Sequence, residues 1–375
     1  MSDEFRQKLK DYEAGKLSED ERLEIEKELE KLEMYQAHLD ELLGQEGSGA
    51  FSRKEDVRRE AKIIRRGKWK ARLNTVLSVL VILILVSWAS NIFNSFYFGE
   101  GEPNRMDIYS DVASSAIKVT YPNVSVHLNS SMGGFFTYEL YGDMKKQVGD
   151  ESYNIGDYSL SFWFGRPNSQ QMTWFSDNVT YFFNYPDDPN AVIEQDWRTL
   201  EKLPEGTVAE VYVSLDDYYT TDEILQKFEG KNMEPVWFAV DAGFDLNEHP
   251  IGFPYNPMWH HDDLTITSST EEFGKSGKIV SRSGVYPAVE TYGSGELRND
   301  NFIKTLKLLQ KYSSITRQAA PFLKIDKAIE YIESSGVQIY GVVITGPTKE
   351  LLKLNKEPWV KDIHVGEARL WNWQK

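Results

Sequence analysis

The 375-residue chain has no cysteine. This absence excludes disulfide bonds, zinc sites with thiolate ligands, iron–sulfur clusters and catalysis by a cysteine nucleophile. The chain also lacks a glycine-rich phosphate loop, a Gly-x-Ser-x-Gly nucleophile turn and a His-Glu-x-x-His zinc motif. We therefore predict that the protein is not an enzyme and that it holds no cofactor.

Positive charge is scarce, with 42 basic against 58 acidic side chains and a net charge of −16. Direct binding to nucleic acid depends on Lys and Arg that neutralise phosphates, so we predict no direct nucleic-acid partner. Apolar residues make up 41% of the chain, which excludes disorder throughout. A chain of this length is expected to hold two or three domains.

The charges are segregated along the chain. Residues 1–46 hold 15 acidic and 7 basic residues, whereas residues 53–72 hold ten basic and three acidic residues. Residues 73–99 carry no charge, and their centre at 76–86 is almost purely aliphatic. About 20 such residues cross the hydrocarbon layer as a helix. We therefore predict one transmembrane helix over residues 73–98.

The flanks of this segment predict its orientation. Ten Lys and Arg residues lie between positions 53 and 72, but only Arg105 and Lys118 lie within a similar distance downstream. Cytoplasmic flanks carry the excess of Lys and Arg. We predict a single-pass protein of the cell membrane, with residues 1–72 in the cytoplasm and residues 99–375 outside. The absence of cysteine outside fits a bacterium with one membrane.

Two capping boxes predict helices before the membrane segment. Ser18 with Glu21 starts a helix that we expect to end near Leu43, and Ser52 with Glu55 starts a basic helix that continues into the span. An earlier helix is expected between Ser2 and Gly15. We accordingly divide this part into cytoplasmic helices over 1–48 and a basic juxtamembrane helix over 49–72.

Apolar residues recur at spacings of three and four in the two cytoplasmic helices, so each helix has one apolar face. Such short helices bury little surface by themselves, and their apolar faces suit contact with a partner. A self-packed hairpin or a dimerising coiled coil would use the same residues. The candidate contact residues are Phe5, Leu9, Tyr12, Leu17, Ile25, Leu29, Leu32, Tyr35 and Leu39.

The outer part is predicted to be an α+β region. Residues 99–200 contain a helix near 107–119 and then alternating apolar and polar residues between glycine turns, which predicts a strand-rich half. Residues 201–375 are predicted as an α/β domain with helices near 299–311 and 325–334. Two β–α–β-like units are expected there, over 208–240 and 337–370. The fold class is thus a short α-helical cytoplasmic segment, one transmembrane helix and an α+β extracytoplasmic region.

A histidine-rich segment is the best candidate for a metal site. His260, His261, Asp262 and Asp263 are consecutive, and His249 precedes them. Imidazole and carboxylate groups bind zinc and similar ions. Adjacent residues of an extended segment point in opposite directions, so these four cannot all bind one ion from one strand. We predict a polar loop and no metal site.

Several short motifs carry a resemblance to a known family. They are Tyr12-Glu-Ala-Gly-Lys-Leu-Ser18, the run from Glu28 to Gln36, Leu203-Pro-Glu-Gly-Thr-Val208, Gly346-Pro-Thr-Lys-Glu350, Val365-Gly-Glu367 and Leu370-Trp-Asn-Trp373. In these motifs, and over nearly its whole length, the chain resembles the sigma factor regulator family of Gram-positive bacteria.

The resemblance implies a membrane-anchored anti-sigma factor. Its cytoplasmic helices would hold an extracytoplasmic-function sigma factor away from RNA polymerase, and its outer domain would relax that hold on an envelope signal. An accessory membrane protein is a further candidate partner. Many anti-sigma factors carry a His-x-x-x-Cys-x-x-Cys zinc motif, so this cysteine-free chain would be a zinc-free version.

The residues alone leave an alternative open. A single-pass envelope protein that binds a wall or peptide ligand outside, with its cytoplasmic helices as a dimerising scaffold, would share the same charge pattern. The two functions differ in whether residues 1–50 are needed for activity.

Overall fold

A computed structural model of the chain describes residues 11–12, 17–44, 50–175, 183–189, 191, 193, 195–243, 249–274 and 277–371. The chain divides into two compact units, Met1–Ile82 and Leu83–Lys375. Two long helices, α1 (Glu19–Gly44) and α2 (Ala50–Gly99), account for most of the first unit, and α2 continues into the second.

The start of α1 is fixed by its predicted cap. The amide and the hydroxyl of Ser18 donate hydrogen bonds of 3.1 and 2.6 Å to the Glu21 carboxylate. A carboxylate in this position also interacts favourably with the positive end of the helix dipole. The helix start predicted at Ser18 is therefore confirmed.

The predicted basic helix and the predicted membrane span form one uninterrupted helix, α2. Its part from Ala61 to Gly99 is long and apolar enough to cross a membrane, with a mean hydropathy of 2.4 over its most apolar 18 residues. Only 6% of those residues are buried by protein. The core helix of a soluble domain would be mostly buried, so this exposure favours a helix surrounded by lipid.

The second unit begins with a helix and an antiparallel sheet. The helix α3 (Arg105–Thr120) confirms the one predicted near 107–119, and Asn104 caps it by accepting a hydrogen bond of 2.9 Å from the Asp107 amide. Buried side chains alternate with exposed ones along the central strands. The strands are β1 (Val124–Val126), β2 (Asn129–Met132), β3 (Thr137–Val148), β4 (Glu151–Trp163) and β5 (Arg166–Trp174), in the order β1-β3-β4-β5 with β2 also paired to β3.

A second antiparallel sheet has the strand order β12-β6-β11-β7-β8. Its two central strands, β6 and β11, are buried along most of their length. Its members are β6 (Thr207–Tyr219), β7 (Glu234–Val240), β8 (Ile251–Pro254), β11 (Ile339–Pro347) and β12 (Val360–Leu370).

The two segments predicted as β–α–β units interleave in this sheet. A short helix connects β6 to β7, and another connects β11 to β12. The strands of each unit run in the same direction, but one strand of the other unit lies between them, and every pairing is antiparallel. Neither segment therefore forms a sheet of its own, because each needs a strand of the other.

The remaining elements include a hairpin and six α-helices in the described part of the chain. The hairpin β9 (Thr265–Gly274) and β10 (Gly277–Val285) forms a separate two-stranded sheet that our sequence analysis did not predict. Helices predicted near 299–311 and 325–334 are confirmed at Gly295–Lys311 and Ile325–Ser335. The α-helices that follow α3 in the described residues are α4 (Trp197–Lys202), α5 (Thr221–Gln226), α6 (Gly295–Lys311), α7 (Ser313–Ala319), α8 (Ile325–Ser335) and α9 (Thr348–Leu351).

Candidate functional site

The candidate partner-binding residues of α1 fall into two groups. Ile25 is buried, with 4% of its surface exposed, and Leu29 and Leu17 are half-buried. The Tyr12 hydroxyl donates a hydrogen bond of 3.0 Å to the Glu26 carboxylate, so the segment before α1 lies against its first turns. At this end the apolar face is used inside the unit, as the hairpin alternative predicted. Ile25 is not open to a partner.

The second group lies further along the same helix and is open. Leu32, Tyr35 and Leu39 have 41%, 72% and 52% of their surfaces exposed. With 100° of turn per residue, Leu32 and Leu39 lie within about 40° of Ile25, on one continuous face. The described part of the unit thus presents an uncovered apolar surface at Leu32, Tyr35 and Leu39. The candidates Phe5 and Leu9 lie outside the described residues.

The last turns of α2 are held by the sheet of the second unit. Ser90, Asn94 and Phe98 follow one another at spacings of four and are fully buried. The Ser90 hydroxyl accepts a hydrogen bond of 2.7 Å from the Phe136 amide, and the Asn94 side chain donates one of 2.9 Å to the Thr137 carbonyl. These bonds attach the helix to the start of β3. This attachment was not predicted from the sequence, although Ser90 and Asn94, four residues apart near the end of the apolar run, share one face of the helix.

Aromatic rings complete this attachment. Phe98 stacks on Tyr138 at 4.1 Å between ring centres, and Tyr109 of α3 stacks on Phe162 at 5.1 Å. Burial raises the pKa of Tyr138 to about 12, so its hydroxyl stays protonated in this apolar environment. The Arg105 guanidinium lies over the Tyr97 ring and donates to the Tyr97 carbonyl at 2.8 Å. The end of α2 is therefore packed as part of a core.

A buried ion pair joins the two sheets. The Lys146 ammonium on β3 lies 2.8 Å from the carboxylate of Glu210 on β6 and also donates to the Tyr212 hydroxyl at 2.8 Å. The Asn123 side chain donates to the same carboxylate at 2.8 Å. Glu210 is fully buried. A buried charge needs such partners, so the pair fixes β3 against β6.

A cleft of about 370 Å³ lies beside this joint. It is lined by residues of both sheets, including Lys118, Glu234, Trp237, Tyr255 and Tyr292. The Lys118 ammonium makes no hydrogen bond or ion pair with the described residues, and burial lowers its pKa, whereas the Lys118 carbonyl accepts a hydrogen bond of 2.8 Å from the Trp237 indole. Clefts of this size can hold a small ligand. The lining of this one combines the ammonium of Lys118 and the carboxylate of Glu234 with the rings of Trp237, Tyr255 and Tyr292.

The histidines considered for a metal site take three different environments. The His249 ring lies 4.1 Å from the Phe322 ring, and the His261 ring is 2.9 Å from the Asp111 carboxylate. His260, Asp262 and Asp263 bring potential ligand atoms within 4.8 Å of one another. The Lys304 ammonium, however, bonds to both carboxylates. The Lys304 ammonium therefore already supplies the positive charge that faces the carboxylates of this cluster.

Burial and hydrogen bonding shift the pKa values of the two neighbouring histidines in opposite directions. Burial lowers the pKa of His260, whose ring bonds to the Ser115 hydroxyl at 3.2 Å. The hydrogen bond to Asp111 raises the pKa of His261. The ring of His261 thereby ties the segment after β8 to α3.

Comparisons with known proteins agree with the resemblance seen in the sequence. The family model described as the N-terminal part of sigma factor regulators matches residues 61–153, and the C-terminal model matches residues 200–367. The chain is 29% identical to the probable anti-sigma-M factor of Bacillus subtilis strain 168, over all of both chains. No solved structure matches the chain. The N-terminal model covers α2 from residue 61, α3 and β1 to β3, and the C-terminal model covers the second sheet as far as residue 367. Lys146 and Glu210 of the buried ion pair lie in one model each, and the chain belongs to the sigma factor regulator family.

Proposed function

We propose that the chain is a membrane-anchored anti-sigma factor that sequesters an extracytoplasmic-function sigma factor. The observation that carries this proposal is the uncovered apolar surface at Leu32, Tyr35 and Leu39 on a helix joined to a membrane anchor. The helix α1 holds ten acidic and three basic residues, and this charge complements the basic DNA-facing surfaces typical of sigma factors. The family and the similar anti-sigma factor support the same function.

The test is binding of the full chain, in nanodiscs, to each extracytoplasmic-function sigma factor of the host. Leu32→Asp removes an apolar contact and places a charge in its position. Covering one leucine contributes about 1.5–3 kcal/mol, so we expect affinity to fall by about 10-fold to 100-fold. Target genes under the cognate sigma factor should be transcribed in cells that carry this variant.

Met34→Asp is the matched control. Met34 is 63% exposed and lies nine residues after Ile25, about 180° around the helix from the apolar face. The Met34→Asp variant adds the same charge to the same helix, and its affinity for the sigma factor should be unchanged. Equal losses in both variants would show that added charge, not the apolar face, weakens binding. Unchanged binding in Leu32→Asp would refute the proposed surface.

The scaffold alternative makes a different prediction for the same variants. If the apolar face of α1 serves a dimer, the purified chain self-associates without any sigma factor, and Leu32→Asp abolishes that association. Mass determination of the nanodisc complex by light scattering separates the two functions. An anti-sigma factor of the kind proposed forms a one-to-one complex only when the sigma factor is added.

We assign the cytoplasmic side to residues 1–72 and the outside to residues 99–375. The ten Lys and Arg residues before the uncharged run support this orientation. Because the chain has no cysteine, single cysteines can be introduced at Met34 and at Gln171 and labelled in intact cells with a membrane-impermeant maleimide. Only the cysteine at Gln171 should be labelled. The reverse pattern would place the sigma-binding helix outside and refute the function.

The cleft at Lys118 is our candidate for the place where the outer part receives an envelope signal. The Lys118 ammonium, which pairs with none of the described carboxylates, and the aromatic walls support a ligand with a negative charge. Lys118→Met in cells should leave sequestration intact but abolish the transcriptional response to inhibitors of wall synthesis. Lys118→Arg keeps the charge and should retain the response. A normal response in the methionine variant would exclude this cleft.

A further inference from the structure

Two loops of the first sheet carry aromatic residues at their tips. Phe135 and Phe136 lie between β2 and β3, and Trp163 and Phe164 lie at the turn between β4 and β5. We call these four residues the aromatic tips. The two loops touch, because the Phe136 and Phe164 rings stack at 4.3 Å and the Trp163 indole donates to the Phe135 carbonyl at 3.2 Å. The tips form one surface.

This surface is apolar and uncovered. Phe135, Trp163 and Phe164 have 54%, 55% and 43% of their surfaces exposed. The loop sequences carry no charge from residue 128 to 138 or from 158 to 165. Large exposed aromatic clusters on a soluble surface mark a contact with another molecule or with a membrane. The described residues therefore leave this apolar surface exposed, as expected for a surface that contacts another molecule or a membrane.

The backbone of the tips is unusual for the residues that occupy it. Phe135, Phe136 and Phe164 have φ values of 56°, 62° and 48°, in the left-handed region that favours glycine or asparagine. Aromatic side chains at these turns disfavour the free fold. Phe136 packs against Phe93 and Phe164, but Phe135 and Phe164 stay exposed, so packing within the protein offsets only part of the cost. An apolar environment outside the protein would offset it.

The tips surround the end of the membrane helix. Both the Phe136 and the Phe164 rings lie 5.6 Å from the ring of Phe93 on α2. A side chain at Gly134, in the same loop as Phe135, would begin 4.0 Å from the Ser87 hydroxyl. The tips thus lie at the level of residues 87–93 of α2, not at the far end of the sheet.

That level falls at the edge of the hydrocarbon layer. The uncharged run starts at Leu73, directly after Arg72. A layer of about 30 Å holds about 20 helical residues at about 1.5 Å each, so it ends near Ile92. Phe and Trp side chains are favoured at the boundary between hydrocarbon and headgroups.

We infer that the aromatic tips insert into the interface of the bilayer that α2 crosses, so that the outer part rests on its own membrane. The occupant of this surface is lipid, because the surface is continuous with the lipid-facing side of α2 and lies at its depth. Trp88 and Phe96 are also exposed on the same stretch of helix, at 65% and 64%. The outer part would then contact the membrane through two loops as well as through the helix.

Electron paramagnetic resonance on the full chain tests this inference. Single cysteines replace Phe135, Trp163 or Gln171 in the cysteine-free chain, and each carries a nitroxide label. Gln171 is the control, because it is exposed on β5 and pairs with Ser159, away from the turn. The protein is placed in vesicles of phosphatidylethanolamine and phosphatidylglycerol. Relaxation by dissolved oxygen reports lipid exposure, and relaxation by a water-soluble nickel chelate reports water exposure.

Labels at Phe135→Cys and Trp163→Cys should be relaxed strongly by oxygen and several-fold less by the nickel chelate than the label at Gln171→Cys. Two positions are used so that distortion of one loop does not decide the result, and circular dichroism checks that each variant is folded. Full relaxation by nickel at both tips would place them in water and overturn the inference. Shielding from both reagents would mean that protein covers the tips, and would also overturn it.

Discussion

The buried pair of Lys146 and Glu210 offers the sharpest test of how the second unit is held together. Lys146→Met removes the charge and keeps most of the side-chain volume. It leaves the Glu210 carboxylate fully buried, with the Asn123 side chain at 2.8 Å and the Glu367 amide at 3.2 Å as its remaining hydrogen-bond donors. Breaking one partner of a buried pair costs about 3–5 kcal/mol. Because two donors remain, we expect about 3 kcal/mol.

The double variant Lys146→Met with Glu210→Gln separates the cost of the orphaned charge from the cost of lost packing. A neutral amide at position 210 needs hydrogen bonds but no counter-charge, so the double variant should recover at least about half of the lost stability. The free energy of unfolding would be measured by urea titration of the full chain in a mild detergent. Near-ultraviolet circular dichroism of the buried aromatic residues reports the transition.

Two outcomes would refute this account. A loss below about 1 kcal/mol in Lys146→Met would place the pair among exposed ion pairs, whose contribution is that small. A double variant as unstable as the single one would show that Lys146 acts through packing and through its bond to the Tyr212 hydroxyl. The charge of Glu210 would then not matter.

Three further predictions concern the same unit. Gly149→Ala should destabilise it by about 1–2 kcal/mol or more in the same urea titration, because φ is +64° there and a Cβ would meet Val208 at 3.1 Å. Asn94→Ala should cost about 1 kcal/mol and speed hydrogen exchange at the start of β3, since the Thr137 carbonyl loses one of its two donors and keeps the Gly133 amide; unchanged exchange would contradict the attachment. The pKa of His261 is raised, so its bond to Asp111 stabilises the fold fully at a pH below the ordinary pKa of histidine. This stabilisation is lost as the pH rises through the raised pKa, so the pH dependence of the free energy of unfolding should flatten in His261→Gln.

The sequence predicted best those elements that depend on local signals. The cap at Ser18, the long uncharged helix and the amphipathic helices at α3, α6 and α8 each follow from periodicity or capping within a few residues. The alternation in β3 and β4 likewise predicted strands. The hairpin of β9 and β10 was missed because β9 holds mostly Thr, Ser and Glu and the only apolar run in β10 is Ile279-Val280 before its last residue, so no apolar alternation marks either strand.

Long-range contacts were not predictable in the same way. Nothing near Lys146 in the sequence indicates that Glu210, 64 residues away, is its partner. The interleaving of the second sheet depends on which strands pair across more than a hundred residues. The structure confirms one apolar face on α1, but periodicity cannot show that Ile25 is buried inside the unit while Leu32 and Leu39 stay open.

The division of that face matters for how binding could be controlled. If the buried end of α1 at Ile25 must stay packed for the open end to be presented, loss of the packing between Tyr12 and α1 would weaken sigma-factor binding without touching the contact surface. Tyr12→Phe removes only the hydroxyl that donates to Glu26, and it should leave affinity almost unchanged, because an exposed hydrogen bond contributes little. Tyr12→Ala also removes the ring. An affinity loss confined to the alanine variant would show that the hairpin presents the binding face, whereas equal affinity in both variants would show that α1 acts alone.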